Sequence, residues 1–174
     1  FLTAFEQGSL VTLCVRAEDG KILWRREVAR PRQERHHSNN NPASPTPVTD
    51  GRSVFAFFPD FGLVAYSVDG EGLWRQPLGP FKNSQGMANS PVLAGDKLVQ
   101  VCDQDAGSFL VVLDKRSGRV LRRVERSGPS YCSPIVHERG ASCEVVIAGN
   151  TELAGYECGS LDRLWWVSGL PWQP

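Results

Sequence analysis

The chain is 174 residues long, 41% hydrophobic and 22% charged, which is the composition of a folded globular protein. Its 19 Lys and Arg balance 19 Asp and Glu, so the net charge is zero and nucleic acid or an anionic membrane is not an expected partner. No apolar run approaches the roughly 18 residues of a bilayer-spanning helix, and the five cysteines include no Cys-x-x-Cys pair of the zinc-ribbon kind.

In chain order, Phe1-Leu2-Thr3-Ala4-Phe5 reads as a strand that precedes a turn at Glu6-Gln7-Gly8. No charged or apolar export segment precedes it, so such a signal is expected to have been removed or to lie outside these residues. A first unit closes on Asp19-Gly20-Lys21-Ile22-Leu23-Trp24, and a polar loop follows from Arg30 to Pro42. From Ala43 to Pro77 come four short apolar or alternating runs, each bounded by Gly, Asp or Pro: the pattern of four antiparallel strands.

That four-run unit recurs. Thr46-Pro47-Val48, Ser90-Pro91-Val92 and Ser133-Pro134-Ile135 open successive units, their prolines 44 and 43 residues apart. Asp19-Gly20, Asp69-Gly70, Ser117-Gly118 and Ser160-Leu161 begin the closing strands at spacings of 50, 48 and 43. A repeat of roughly 40 to 50 residues holding four strands matches a β-propeller blade. The expected fold is all-β: four-stranded antiparallel blades over roughly 1–30, 43–79, 88–126 and 131–168, about four blades of a partial propeller. The first unit begins at its second strand, and two copies are expected to associate to complete a ring.

The residues of a blade fit that reading. Val54-Phe55-Ala56-Phe57-Phe58 and Leu63-Val64-Ala65-Tyr66 are apolar on both faces, as middle strands covered on both sides must be. The closing strands are amphipathic, with Trp24, Trp74 and Trp165 as wedges between blades. Gly20, Gly70 and Gly118 are expected to supply positive φ in the turn before them. If the fourth hairpin turns at Asn150-Thr151, residues whose numbers sum to 301 face each other. Cys143 then lies opposite Cys158, either bridged in an oxidising compartment or packed as two small hydrophobes.

The apolar strand, the Asp or Ser before Gly and the Trp after it resemble the tryptophan-docking repeat of the pyrroloquinoline-quinone (PQQ)-like propellers. Val112-Leu113-Asp114-Lys115-Arg116-Ser117-Gly118 is the closest match, although Arg122 stands where the docking Trp belongs. That repeat is shared by quinoprotein dehydrogenases, an outer-membrane assembly lipoprotein and many propellers of unassigned role. The resemblance implies a periplasmic or secreted protein, acting as a non-catalytic binding or scaffold domain for a protein or carbohydrate. The alternative it implies is a piece of a dehydrogenase using PQQ and calcium, an Asp base and, in alcohol dehydrogenases, a disulfide between adjacent cysteines. No two cysteines adjoin here, and no base or calcium ligand maps onto a matching residue.

In a blade, the loop leading into the first strand and the loop between strands two and three emerge at the same end of the ring, where ligands are expected. The second of these loops carries a carboxylate in every repeat: Glu6, Asp60, Asp103 with Asp105, and Glu152. They either ring the mouth of a channel and attract a cation or polyol, or serve as turn formers. The long loop before the second blade adds His36, His37 and Asn39 as candidate ligands or as a solvated polar segment. Its counterpart before the third blade adds Asn83 and Gln85, with Met87, as a loop able to close over a sugar or a quinone.

Overall fold

The computed structural model describes residues 1–140 and 142–170, and every regular element among them is a strand. The first sheet has three strands: β1 (Leu2–Glu6), β2 (Ser9–Val15) and β3 (Ile22–Val28). The second is β4 (Val48–Thr49), β5 (Ser53–Phe58), β6 (Gly62–Ser67) and β7 (Gly72–Pro77). The third is β8 (Val92–Ala94), β9 (Lys97–Cys102), β10 (Phe109–Asp114) and β11 (Val120–Glu125). The fourth is β12 (Ile135–Arg139), β13 (Ser142–Ala148), β14 (Glu152–Glu157) and β15 (Arg163–Ser168). Each is an antiparallel meander with its strands in chain order, so the four stack as an arc of propeller blades.

Alternation along the middle strands builds a core between each pair of sheets. Val54, Ala56 and Phe58 of β5 point toward the first sheet and meet Leu10, Trp24 and Val28. Phe55 and Phe57, one residue out of step, point the other way and meet Leu98, Val111 and Leu113 of the third. The third core, between Val99, Val101, Leu110 and Val112 and the Val145, Ile147 and Tyr156 side chains, closes the stack. A strand apolar at every position is thus read by two neighbours at once.

Two devices lock sheet to sheet. At the inner edge, the backbone N–H of Thr46 donates to the Ser90 hydroxyl, and the Ser90 N–H donates to the Ser133 hydroxyl, each at 2.9 Å. The Ser that precedes Pro is therefore an inter-blade fastener. At the outer edge, the Trp24 indole donates to Val68 O at 2.8 Å and Trp74 donates to Lys115 O at 2.9 Å, each reaching into the next blade.

The glycines in the closing turns have a second role. Gly70 and Gly118 do adopt positive φ, +86° and +70°, but a Cβ at either would also strike the docked ring of Trp24 or Trp74 at 2.8 or 2.5 Å. Where the docking Trp is replaced by Arg122, the matching turn residue of the next blade is Leu161, which keeps a positive φ of +55° and is buried in the third core. Arg122 instead bonds Asp162 at 2.9 Å. Trp165 does not act as a wedge between described blades: its indole bonds Glu144 within its own sheet and its ring lies on Gly155.

Each pairing of a third strand with a fourth carries a bulge, at Cys14/Val15, Ala65/Tyr66, Val112/Leu113 and Gly155/Tyr156. The unpaired residue is Leu23, Leu73, Leu121 or Leu164, and each of these leucines is exposed. The bulge re-aims the following residue, the docking position. In the fourth sheet Cys143 and Cys158 form a disulfide, their Cα atoms 5.4 Å apart. No helix among the described residues is long and apolar enough to cross a membrane.

Candidate functional site

The loops at one end of the arc are stitched together from the long polar segment inward. Arg30 Nε bonds the Asp60 carboxylate at 2.5 Å, and the Glu34 N–H donates to the other Asp60 oxygen at 2.9 Å. Arg32 donates to Pro59 O and Leu78 O, while the Glu34 carboxylate accepts from the Phe81 N–H. Arg30 and Arg32 anchor the start of this loop, while residues 35–39 stay exposed. From there the His37 N–H donates to Gln85 O at 3.0 Å, the Asn40 amide donates to the same carbonyl at 3.1 Å, and the Ser84 N–H donates to Asp105 Oδ2 at 2.9 Å.

Stitched this way, loops of three successive blades enclose a cleft of about 600 Å³. The long loop contributes His37, Asn39 and Asn40; the next, Ser84 and Gln85, with Asp105 behind them; the fourth blade supplies Pro129, Tyr131 and Asn150. A second cleft of about 430 Å³ shares Ser84 and Asp105 and is lined otherwise by Gln33, Glu34, Arg35, Phe81, Lys82 and Asn83. Convergence of loops on a rigid scaffold is the usual way a propeller makes a binding surface.

Of the ten residues singled out from sequence, His37, Asn39, Gln85 and Asp105 share the first cleft and Asn83 and Asp105 reach the second. The ring of carboxylates does not form. Asp60 and Asp103 are buried, Asp60 against Arg30 and Asp103 in a two-pronged pair with Arg126 at 2.9 and 3.1 Å. Glu6 pairs with Arg25 and Glu152 with Arg163, away from both clefts. His36 also lies outside them, its Cβ close over Gly86 and its Nδ1 3.1 Å from the His37 carbonyl oxygen. Met87 is a core residue between the second and third sheets, not a cap over a ligand. Asn83 is buried, its amide donating to Asp103 O and its side-chain oxygen accepting from the Gln85 N–H.

The buried Asp103–Arg126 pair is structural. Burial pushes the Asp103 carboxyl up and the guanidinium pulls it back. Burial also opposes the Arg126 charge, but Asp103 and the Tyr156 hydroxyl outweigh it and hold the guanidinium above its ordinary range. Arg126 cannot shed its proton, so the carboxylate stays to balance it. Beside it, burial first and then the Asp103 charge push the Cys102 thiol well up, which removes it as a nucleophile.

Tyr131 is the residue that sequence reasoning passed over. It stands in the loop leading into the fourth blade, two residues before the Ser-Pro anchor, and 40% of it is exposed. Burial and then the Asp105 carboxylate raise its phenol, which therefore stays a neutral donor. The signal was positional: its loop is the counterpart of the two that were inspected.

The donor set of the first cleft does not suit PQQ with calcium, and the second, although lined by Arg35 and Lys82, offers only Glu34 and Asp105 as carboxylates. That quinone bears three carboxylates, and no Arg or Lys lines the first cleft. Calcium takes six to eight oxygens with several carboxylates among them; the first cleft offers Asp105 alone, and no cluster of three His, Cys, Asp or Glu side chains able to hold a metal occurs among the described residues.

No family model and no curated protein matches the chain. Solved structures do. A quinohemoprotein alcohol dehydrogenase from Pseudomonas putida matches at TM-score 0.70 and 13% identity, over 97% of this chain and 34% of its own. The corresponding enzyme from Comamonas testosteroni gives 0.68 and 10%, over 98% and 35%. BamB from Moraxella catarrhalis gives 0.61 and 14%, over 98% and 52%. The chain therefore spans about a third to a half of the structures it matches. The likeness establishes the fold: an all-β arc of a β-propeller, of the kind found in the PQQ-dependent enzymes and BamB.

Proposed function

We propose that this arc is a non-catalytic binding module of an exported protein, and that the cleft roofed by Asn39, Gln85 and Tyr131 is its binding surface. The fold alone does not choose a role, since the structures it resembles include both dehydrogenases and BamB. One observation carries the reading. At the end where the loops converge, the deeply buried carboxylates are committed to arginines, while the described groups lining the cleft are amides, hydroxyls, the His37 imidazole and a single carboxylate. Such groups recognise hydrogen-bonding ligands, and the one imidazole among them, His37, takes the Asn39 N–H on its Nδ1 instead of activating a hydroxyl of the cleft. The Cys143–Cys158 disulfide supports an extracytoplasmic setting, where such bonds persist.

The reading is tested by NMR on the isotopically labelled chain, screened with oligosaccharides, short peptides, nucleotides and metal ions. A saturable ligand whose shifts map to residues 37–40, 84–85, 105 and 131 supports it. Ligands that map only elsewhere, or oxidation of alcohols by the chain once PQQ and calcium are supplied, would overturn it.

A further inference from the structure

We infer that the cleft binds a neutral carbohydrate, stacked on the ring of Tyr131 with its hydroxyls held by the Asn39 and Gln85 amides and the Asp105 carboxylate. This rests on the reading of the cleft as a binding surface and goes beyond it by naming the ligand class.

The chemistry follows from which polar atoms are already used. Asn39 and Gln85 spend their backbones on structure: the Asn39 N–H donates to His37 Nδ1, the Gln85 N–H donates to Asn83, and Gln85 O accepts from His37 and Asn40. Their side-chain amides have no partner among the described residues. Each amide is thus held on a fixed backbone with a donor and an acceptor to offer, and a sugar hydroxyl, itself both donor and acceptor, satisfies both. Fixing the backbone in advance lowers the ordering cost of binding. Asp105 spends Oδ2 on the Ser84 N–H, which leaves Oδ1 for the stronger, charge-assisted kind of bond to a hydroxyl.

Tyr131 supplies what hydrogen bonds cannot. A sugar ring has an apolar face of C–H groups, and a half-exposed aromatic side chain of few rotatable bonds is a platform for it. Among the described residues, Tyr131 stands 40% exposed in a wall otherwise mostly polar.

The same inventory argues against other classes. Among the described residues no Lys or Arg lines this cleft to meet a phosphate or a carboxylate ligand, and one carboxylate is too few for a hard metal ion. An extended peptide is captured chiefly through backbone hydrogen bonds to an open strand edge, whereas the residues here lie in loops, outside any strand. A volume of about 600 Å³ falls within the range of small-ligand sites.

The experiment is a titration of the whole chain with maltotriose, cellotriose and triacetylchitotriose, with trialanine as the peptide control. Calorimetry reads the affinity and NMR locates the shifts. At least one trisaccharide is expected to saturate the cleft. Tyr131→Ala and Gln85→Ala are each expected to weaken it about tenfold, the scale of one good contact, with Tyr131→Trp retaining it. Both positions are exposed enough that an unchanged thermal midpoint will show the three variants folded. If trialanine saturates the cleft and no trisaccharide does, the carbohydrate inference falls while the binding surface stands. If a trisaccharide binds equally well without the Tyr131 ring, the stacking geometry is wrong and the inference falls. If neither class shifts the cleft and the wider screen is also silent there, both readings fall together.

Discussion

Asp50 and Lys115 show how single side chains tie blades together. Lys115 Nζ lies 2.8 Å from Asp50 Oδ2, joining the turn before β5 to the turn after β10 in the next blade. The Lys115 hydrogen bond, and then the Ser53 and Arg52 N–H groups, hold the Asp50 carboxyl at about 2 against burial, which acts to raise it. The unfolded carboxyl titrates near 4, so the folded state binds its proton less readily than the unfolded one. This contribution is therefore complete above about pH 5 and is lost as the pH falls through 4 toward 2. Both side chains are partly solvated, which limits the pair to about 1 kcal/mol or less. Lys115→Met leaves the carbonyl that accepts from Trp74 untouched. It is expected to flatten the loss of stability between pH 5 and pH 2, measured by urea unfolding at each pH. A variant that follows the unmodified chain in parallel would show that the ion pair contributes nothing. At this scale the sequence was legible only in part. Acidic residues at the mouth were visible as types, but whether Asp60 or Asp103 faced solvent depended on Arg30 and Arg126, which lie 30 and 23 residues away and carry no local mark.

At the level of the element, period and alternation were enough to recover the sheets, because a strand read by two cores has no choice but to be apolar throughout. That Cys143 faces Cys158 also followed, since a two-residue turn fixes every facing pair of a hairpin, but the register is the same for a bridge and for two packed thiols and so left the disulfide open. What escaped was the reason for glycine in the closing turns. Turn chemistry explained it sufficiently, so nothing in the sequence demanded the second reason, a tryptophan arriving from 46 residues earlier at Gly70 and 44 at Gly118. The two reasons separate experimentally. Gly20 has a positive φ of +74° and open space where a Cβ would stand, while Gly118 has φ +70° and the Trp74 ring at 2.5 Å. Gly20→Ala should therefore cost only the backbone strain, about 1 kcal/mol. Gly118→Ala should cost that plus the displacement of a docked ring, about 2 kcal/mol more by the usual scale of overpacking. Denaturant midpoints of the two variants measure the difference; equal losses would mean that the Trp74 ring is not seated on the turn. The replacement of Trp by Arg122 and of Gly by Leu161 at the next junction obeys the same rule, because without an arriving ring the turn can carry a side chain into the core.

For the whole molecule, the question is what shields the two ends of the arc. Between sheets the cores are closed, but apolar side chains stand exposed on the terminal ones: Leu2 in the first, and Ile135, Trp166 and Val167 in the fourth, at 53%, 62%, 55% and 55%. Exposed apolar surface gathered on a sheet, and not scattered singly, is an association site. The chain spans about half of the BamB structure it matches, so two arcs together contain about as much propeller as one such chain, and a second copy is the occupant we expect when this chain is alone in solution. Light scattering on the 19.2 kDa chain at micromolar concentration should then report about twice that mass. Ile135→Glu combined with Val167→Glu should return it to a single chain, since both lie on the face turned away from the third core and buried carboxylates without partners oppose burial of that face. Neither substituted residue lines a cleft, so ligand binding should survive the change. A folded, unmodified chain that scatters as one copy would mean that the terminal sheets tolerate water. Their apolar residues would then report only on the twist and bulges of the outer strands, as the exposed leucines at positions 23, 73, 121 and 164 already do.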